Sequence, residues 1–398
     1  MSIKVQGPEV RLRALFDAWR AARCGKQPSR NQLDFDARWS SNLLALQRRL
    51  NAGTWAPGPS ICFIATRPKA REIHAPDFAD RVVHHWLVPQ LEAIWEPRFI
   101  HDSYANRRAK GSHAAVRRLQ QFVRQVHSGQ GGGYFLQLDI HNCFNSIHRA
   151  TLWGMLKPVM ERHGLTEPAR RATHALLRWP PLAAGVIYRG DPAQRALVPS
   201  HKRLENAPKG CGLPIGNLSS QFFANVYLDA LDQFVKHTLK VPRYLRYVDD
   251  FVLVHHDRDQ LATWLIAIER FLAERLRLSL KPDVRLRPLT DGIDFLGYVV
   301  RPTHTQVRRR VVAHARAAMA EWESKHVEAG AIRAIPADLR RLQSTAASYA
   351  GHFRHASTHR LQASLRQRFP WLDTAARPRR FHHTLEDRAI TLKIRGKA

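Results

Sequence analysis

Three observations predict an α+β fold for this chain of 398 residues: helix-spaced apolar residues near its start, short β-prone runs that meet acids, and an apolar helix just ahead of a strand–turn–strand signal. Residues 1–58 read as helical, because Leu12, Leu15, Phe16 and Trp19 recur at three- and four-residue steps. Trp39, Leu43, Leu44 and Leu46 do so less regularly. GTWAPGP at 53–59, with two glycines and two prolines, ends that pattern. A strand-like piece, ICFIATRP, follows at 61–68, and an amphipathic helix over 78–96 runs through Val82, Val83, Trp86, Leu87 and Leu91. SGQGGG at 128–133 reads as a flexible joint leading into the apolar strand YFLQLDI. A loop rich in Pro and basic residues spans 179–212. SSQFFANVYLDALDQFVKHTL at 219–239 is a helix with Phe223, Tyr227, Leu231 and Phe234 on one face and Ser219 or Asn217 placed to cap it. In RYLRYVDDFVLVHH at 243–256, two β-prone segments flank a pair of aspartates where a tight turn would sit. These signals divide the chain into a helical extension at 1–58, a core at 59–300 and a basic, helical tail at 301–398.

Charge narrows the choice of partner. The formal net charge is +30 and the pI about 11.1, far beyond what solubility needs, so a polyanion is the natural partner. Twenty Lys/Arg against seven Asp/Glu lie from 301 onward. No apolar run reaches the roughly 18 residues of a membrane span, and the first residues lack the apolar core of a signal peptide. Cys24, Cys62, Cys143 and Cys211 are scattered and form no C-x-x-C pair, which argues against a zinc site and fits a reducing, cytoplasmic setting.

The acids carry the chemistry. Asp139 closes an apolar strand, and Asp249 and Asp250 sit 110 positions further on at a hairpin tip. Adjacent acids in apolar surroundings raise each other's pKa, and such a cluster persists when a cation neutralises it. Mg²⁺ takes hard oxygen ligands, one or two carboxylates at a time, together with water and phosphate. An isolated Asp-Asp is more often a plain turn; the second acid-ending strand and the basic composition shift that balance.

With these residues in view, YVDD at 247–250 resembles the palm-domain polymerase motif in its reverse transcriptase form, and LDIHNCFNSI at 138–147 resembles its partner strand. LPIGNLSSQFFANVYLD at 213–229 is similar to the motif between them. RPKAREIHAPDFADRVVHHWL at 67–87 and FIHDSYANRRAKGSHAA at 99–115 look like the two fingers motifs. LSLKPD at 278–283 and DFLGYVV at 294–300 look like the lysine motif and the primer grip. The form I-G-x-x-x-S-Q at 215–221, with SYAGHFRHAS at 348–357, resembles the reverse transcriptases of diversity-generating retroelements; the QG-then-SP form of group II intron enzymes and the NAxxH and VTG strings of retron enzymes do not occur.

That resemblance implies a right-hand polymerase fold with fingers, an antiparallel palm sheet packed on helices, and a helical thumb in the basic tail. It implies two Mg²⁺ ions, with Mn²⁺ as a substitute, held by Asp139, Asp249, Asp250 and the Ile140 carbonyl, and Lys281 as general acid for pyrophosphate. Lys69, Arg71, Arg107 and Lys110 correspond to residues that clamp the triphosphate. Phe144 corresponds to the steric gate against a 2′-hydroxyl, and Ile215, Gly216 and Gln221 to residues around the incoming nucleotide. Phe295, Leu296, Gly297 and Tyr298 correspond to the primer grip. Implied partners are template RNA, a primer or cDNA strand, dNTPs and a pentameric helical-bundle accessory protein. The implied activity is copying a template-repeat RNA into cDNA with errors at adenines, for mutagenic retrohoming. Ile215, where many relatives place Gln, offers no hydrogen bond to orient the nucleotide, which is a physical route to such errors. An ordinary-fidelity bacterial reverse transcriptase and a non-catalytic RNA-binding protein on the same fold are the alternatives.

Overall fold

The computed structural model describes residues 9–25, 27–67, 69–375 and 389–394. It divides into two compact units. The first takes in the chain up to Gly111, Leu136–Leu253 and Asp259–Leu286; the second takes in Ser112–Phe135, Val254–Arg258 and the chain from Arg287 onward. This division does not follow the sequence boundaries at 58 and 300, because the N-terminal helices join the first unit and the 287–300 segment joins the tail.

In the first unit the helices Leu12–Arg23, Arg30–Asp36 and Trp39–Ala52 precede the long helix Phe78–Trp95. Leu15, Ala18, Trp19 and Ala22 are the buried stripe of the first helix, while Leu12 and Trp39 stay exposed. The helix Phe78–Trp95 starts where the Asp77 carboxylate accepts from the Ala79 amide at 3.0 Å, and it buries Val82, Val83, Trp86, Leu87 and Leu91. Before it, Ser60–Ala65 pairs antiparallel with Arg71–Ala75 and parallel with Val186–Tyr188, so the strand expected over 61–68 ends at Ala65.

The sheet that carries the acids has the strand order Tyr244–Tyr247, Asp250–His255, Tyr134–Asp139, Arg285–Pro288. Phe135 to Leu138 and Phe251 to Val254 are buried without alternation, as strands covered on both faces require. The helix Leu218–Gln233 buries Phe223, Tyr227 and Leu231 and then widens into a π turn at Phe234–Thr238. Asn217 occupies its N-cap position, yet its side chain makes no capping bond.

One buried pair that the sequence reading did not single out fixes the hairpin. Arg246 and Asp232 both have 0% side-chain exposure and meet at 2.6 Å. Asp232 also accepts from Arg246 Nε at 2.8 Å and from the Tyr244 hydroxyl at 2.6 Å. Arg246 Nη1 donates to the Val248 carbonyl at 2.9 Å, inside the turn that presents the two acids.

In the second unit, Ile293–Phe295, Tyr298–Val300 and Thr305–Val307 form an antiparallel sheet. SGQGGG is no open joint: the helix Ser112–Gln130 runs through its first half. A Cβ on Gly133 would lie 2.4 Å from Val126 Cγ1 and 2.9 Å from the His255 carbonyl, so close packing demands glycine there. The basic tail carries the helices Arg309–His326, Pro336–Phe353 and His359–Arg368, and also a sheet of Val327–Glu328, Ala331–Ala334 and Ile390–Lys393 that its composition did not announce. Met319, Ile332, Leu339, Leu342, Phe369 and Trp371 form its core. Among the described residues no helix is long and apolar enough to cross a membrane.

Because a buried ion pair stripped of one partner leaves an uncompensated charge, Arg246→Met should cost about 3–5 kcal/mol. The urea midpoint of the variant measures this, and adding Asp232→Leu should restore part of the loss.

Candidate active site

Backbone hydrogen bonds bring the acids together. Asp139 is the last residue of Tyr134–Asp139, and the next amide, that of Ile140, donates to the Asp249 carbonyl at 3.1 Å. Asp249 follows Val248 in the two-residue turn between Tyr247 and Asp250, which are paired in register. Val248 has φ of +56°, a left-handed value rare for a β-branched residue, and Arg246 holds its carbonyl. On the other side the Lys281 amide donates to the Asp139 carbonyl at 2.8 Å, and the His141 amide to the Ser279 carbonyl at 2.8 Å.

The side chains stand in electrostatic tension. Burial first, and then the charge of Asp139, raises the pKa of Asp249. Burial pushes Asp250 up to about 7; the hydrogen bond from Gln137 opposes this, and the charges of Asp139 and Asp249 add to it. Gln137 Nε2 donates to Asp250 Oδ1 at 3.2 Å. Lys281 Nζ lies 2.5 Å from Asp139 Oδ2, while Asp139 Oδ1 is buried without a hydrogen-bond partner.

A divalent cation fits this donor set. The unsatisfied Asp139 oxygen and two neighbouring carboxylates whose ionisation is suppressed are groups that a cation would relieve. They do not form a finished cage: among the described residues no group of three or more His, Cys, Asp or Glu is arranged to hold a metal ion. Magnesium does not need one, since it keeps waters and takes phosphate oxygens beside one or two carboxylates. The ammonium of Lys281 meanwhile supplies positive charge to Asp139.

Around the acids the structure sorts the candidate residues. Arg71 opens the strand Arg71–Ala75, is exposed, and lowers the pKa of Asp249 through its charge, so it faces the acid site electrostatically. Lys69 is exposed in the preceding loop. Arg107 is differently employed. Its guanidinium pairs with Glu96 at 2.9 Å and donates to the Ile100 and Ser103 carbonyls at 2.6 and 2.9 Å, which braces its own loop and leaves it poorly placed to clamp a phosphate. Lys110 likewise donates to the His101 carbonyl at 2.8 Å and lies over the Tyr104 ring.

Phe144 sits half-buried in the short helix Cys143–Ser146, and its carbonyl accepts from the Leu213 amide at 2.9 Å. That bond ties it to the loop of Ile215, whose own carbonyl accepts from the His74 amide at 2.7 Å. Gly216 has φ of +121°, and a Cβ there would meet the His74 carbonyl at 2.9 Å, so only glycine lets the loop lie this close to the strand. Gln221 is exposed in the first turns of the following helix. Phe295, Leu296, Gly297 and Tyr298 lie in the second unit as a hairpin. Leu296 and Gly297 both have positive φ, at +50° and +90°, as a two-residue turn of this hand requires.

Sequence reasoning missed Gln137 and Arg246. Gln137 was within reach of it, since strand alternation puts residues two apart on one face. Arg246 gave no signal, because its partner lies on a helix 14 positions away.

A strand-end acid beside a two-acid hairpin defines a core suited to divalent-cation chemistry on phosphates. A family model for reverse transcriptase (RNA-dependent DNA polymerase) matches residues 65–300, more than half of the chain. The chain belongs to the reverse transcriptase family, and its α+β core is that of a right-hand polymerase. Group II intron-encoded protein LtrA of Lactococcus lactis subsp. cremoris is 23% identical over 297 residues, covering 63% of this chain and 48% of LtrA. Protein YkfC of Escherichia coli K12 is 24% identical over 319 residues, covering 71% of this chain and 77% of YkfC. The chain therefore spans about half the length of LtrA. Among solved structures, apo telomerase from Candida tropicalis has a TM-score of 0.45 at 10% identity, over 68% of this chain and 53% of that one.

The pKa of Asp250 has a thermodynamic consequence. Its folded value of about 7 lies above the ordinary aspartate value of 3.8, so the folded state holds the proton more tightly and stability falls as pH rises from about 4 to about 7. Asp250→Asn should remove that decline and raise the melting temperature relative to the parent at pH above about 7. Melting curves across pH without divalent cation check this, and a variant that tracks the parent at every pH would refute it.

Proposed function

We propose that this chain is the polymerase of a diversity-generating retroelement, copying a template-repeat RNA into cDNA with errors directed at adenines. Supporting this reading is Ile215, an aliphatic residue on a loop held against the strand Arg71–Ala75 by the His74–Ile215 backbone bond. A polar side chain in that place would orient the sugar or base of an incoming nucleotide; an isoleucine excludes water without directing a hydrogen bond, so wrong and right pairs are separated less. Two Mg²⁺ ions bound through Asp139 and Asp249, with Asp250 and the Ile140 carbonyl assisting, would activate the primer 3′-hydroxyl and stabilise the leaving pyrophosphate.

The chain's own groups do the rest. Arg71, helped by Lys69, pairs with triphosphate oxygens and positions the reacting phosphorus. Phe144 presents a ring where a 2′-hydroxyl would stand. Lys281, released from Asp139 when that carboxylate is otherwise engaged, delivers a proton to pyrophosphate. Phe295 to Tyr298 support the primer end, and the basic tail follows the template–primer backbone in a salt-dependent manner. A pentameric helical-bundle accessory protein, basic-surface docking and a cytoplasmic setting belong to the same reading.

A second reading, an ordinary-fidelity enzyme, is favoured by the likeness to an intron-encoded protein. Sequencing cDNA made on a mixed RNA template, with and without a candidate accessory protein, separates the two. We expect errors concentrated at template adenines, reduced about tenfold in Ile215→Gln, and no incorporation in Asp249→Ala. An adenine error rate that Ile215→Gln leaves unmoved would remove Ile215 from the explanation, and uniform low error in the parent would favour the second reading.

A further inference from the structure

The first unit holds a cavity of about 270 Å³ whose lining includes none of Asp139, Asp249 and Asp250. Its walls come from loops that carry Pro57, Pro76, Pro180 and Pro214, with Trp179 beside them. Proline fixes its own backbone angle, so these walls are set before any ligand arrives, and little ordering cost falls on binding. Trp179 keeps 51% of its surface exposed, which leaves a flat indole for a ring to stack on.

The polar groups are few and unusual. Asp80 and His84 stand four residues apart on one face of the helix Phe78–Trp95, and Asn217 precedes the helix Leu218–Gln233. His84 Nδ1 and Asn217 Oδ1 are buried without hydrogen-bond partners. His84 as a whole is 2% exposed. Groups cut off from water with nothing in exchange carry their full desolvation cost, and a ligand that supplies the missing bonds recovers it. Asp80 accepts from the Gly58 amide at 2.7 Å, and the Trp55 side chain and the Arg49 charge also favour its ionised form. Burial pushes His84 down to about 3, so its ring is neutral, with one donor and one acceptor nitrogen.

These features select a ligand class. Among the described residues lining the cavity there is no Lys or Arg, so it is not a phosphate pocket. A cavity of roughly 150 Å³ accepts a benzene ring, and the larger volume here suits two fused rings. The wall offers an unfilled amide acceptor, a carboxyl and an imidazole, which match a flat molecule bearing both N–H donors and ring-nitrogen acceptors. We propose that this cavity is a purine-base pocket, filled either by a free nucleoside or by a base turned out of an RNA strand, with sugar and phosphate left at the mouth beside Trp179. Asn217 lies two residues after Ile215, so an occupant that engages its amide also steadies the nucleotide loop; that link rests on the function proposed above, whereas binding itself does not.

Calorimetric titration of the full chain with adenosine, guanosine and uridine at millimolar concentration tests the pocket. Oligo-rA and oligo-rU of equal length form a second arm. We expect saturable one-site binding of a purine nucleoside, tighter than uridine, that weakens about tenfold in Ala183→Phe, which plugs the mouth from an exposed wall position. Asn217→Ala serves as a second variant should the first fail to fold, and thermal melts report on folding. A preference for oligo-rA over oligo-rU that disappears in Ala183→Phe identifies the strand as the source; a variant effect confined to nucleosides identifies the free ligand. Absence of saturable purine binding, or purine affinity unchanged in both folded variants, overturns the proposal.

Discussion

The buried pair of Arg246 and Asp232 is the interaction on which the acid-bearing hairpin depends. Both side chains are fully out of water, where an ion pair repays its desolvation only if nearly every donor and acceptor finds a partner. Here they do: Asp232 accepts from Arg246 twice and from Tyr244, and Arg246 also reaches Ser103 Oγ at 3.2 Å and the Val248 carbonyl at 2.9 Å. Its backbone joins in, exchanging bonds with Asp102 and Tyr104 at 3.0 Å. An apolar pair of equal volume could fill this space, but it could not hold a β-branched residue in the left-handed conformation that Val248 adopts. Directional bonds fix the turn, and the turn fixes the acids.

Once fixed, those acids oppose the fold that holds them. Asp249 and Asp250 are both driven toward their protonated forms by burial, with the charge of Asp139 adding to the effect. Lys281 bonds to only one of the three, through a single oxygen of Asp139, and its charge offsets only part of the rise at Asp249 and Asp250. The other oxygen of that carboxylate stays buried and unanswered. A rigid site that concentrates negative charge without cancelling it is pre-organised for whatever cation arrives, because little rearrangement is left to be done at that moment.

Much of this was legible in the sequence, and the failures have physical causes. Asp139, Asp249 and Asp250 stood out because acids that end apolar β-prone runs contradict ordinary burial preferences. The helices at 78–95 and 218–233 followed from their apolar spacing. Arg107 stood out through its match to a fingers motif, but its partner Glu96, eleven positions away, could not be read from that match. SGQGGG read as a joint because glycine's freedom is visible in sequence, whereas the contact at Gly133 that requires glycine is not. The small sheet in the tail escaped because one of its strands, Ile390–Lys393, is brought in from about sixty positions beyond its neighbour Ala331–Ala334.

The acids and the Ile215 loop are anchored by different means, and under the proposed function that difference bears on how selectivity could change. The acids hang from strand ends, a buried ion pair and several backbone bonds, so perturbing any of them disturbs the core. The Ile215 loop is tied by its carbonyl to His74, by the neighbouring Leu213 amide to Phe144, and by the absence of a side chain at Gly216. None of those attachments involves the Ile215 side chain. Its identity can therefore vary while the loop keeps its path; under the proposed function, that would leave nucleotide selection free to be loosened or tightened without disturbing the acids.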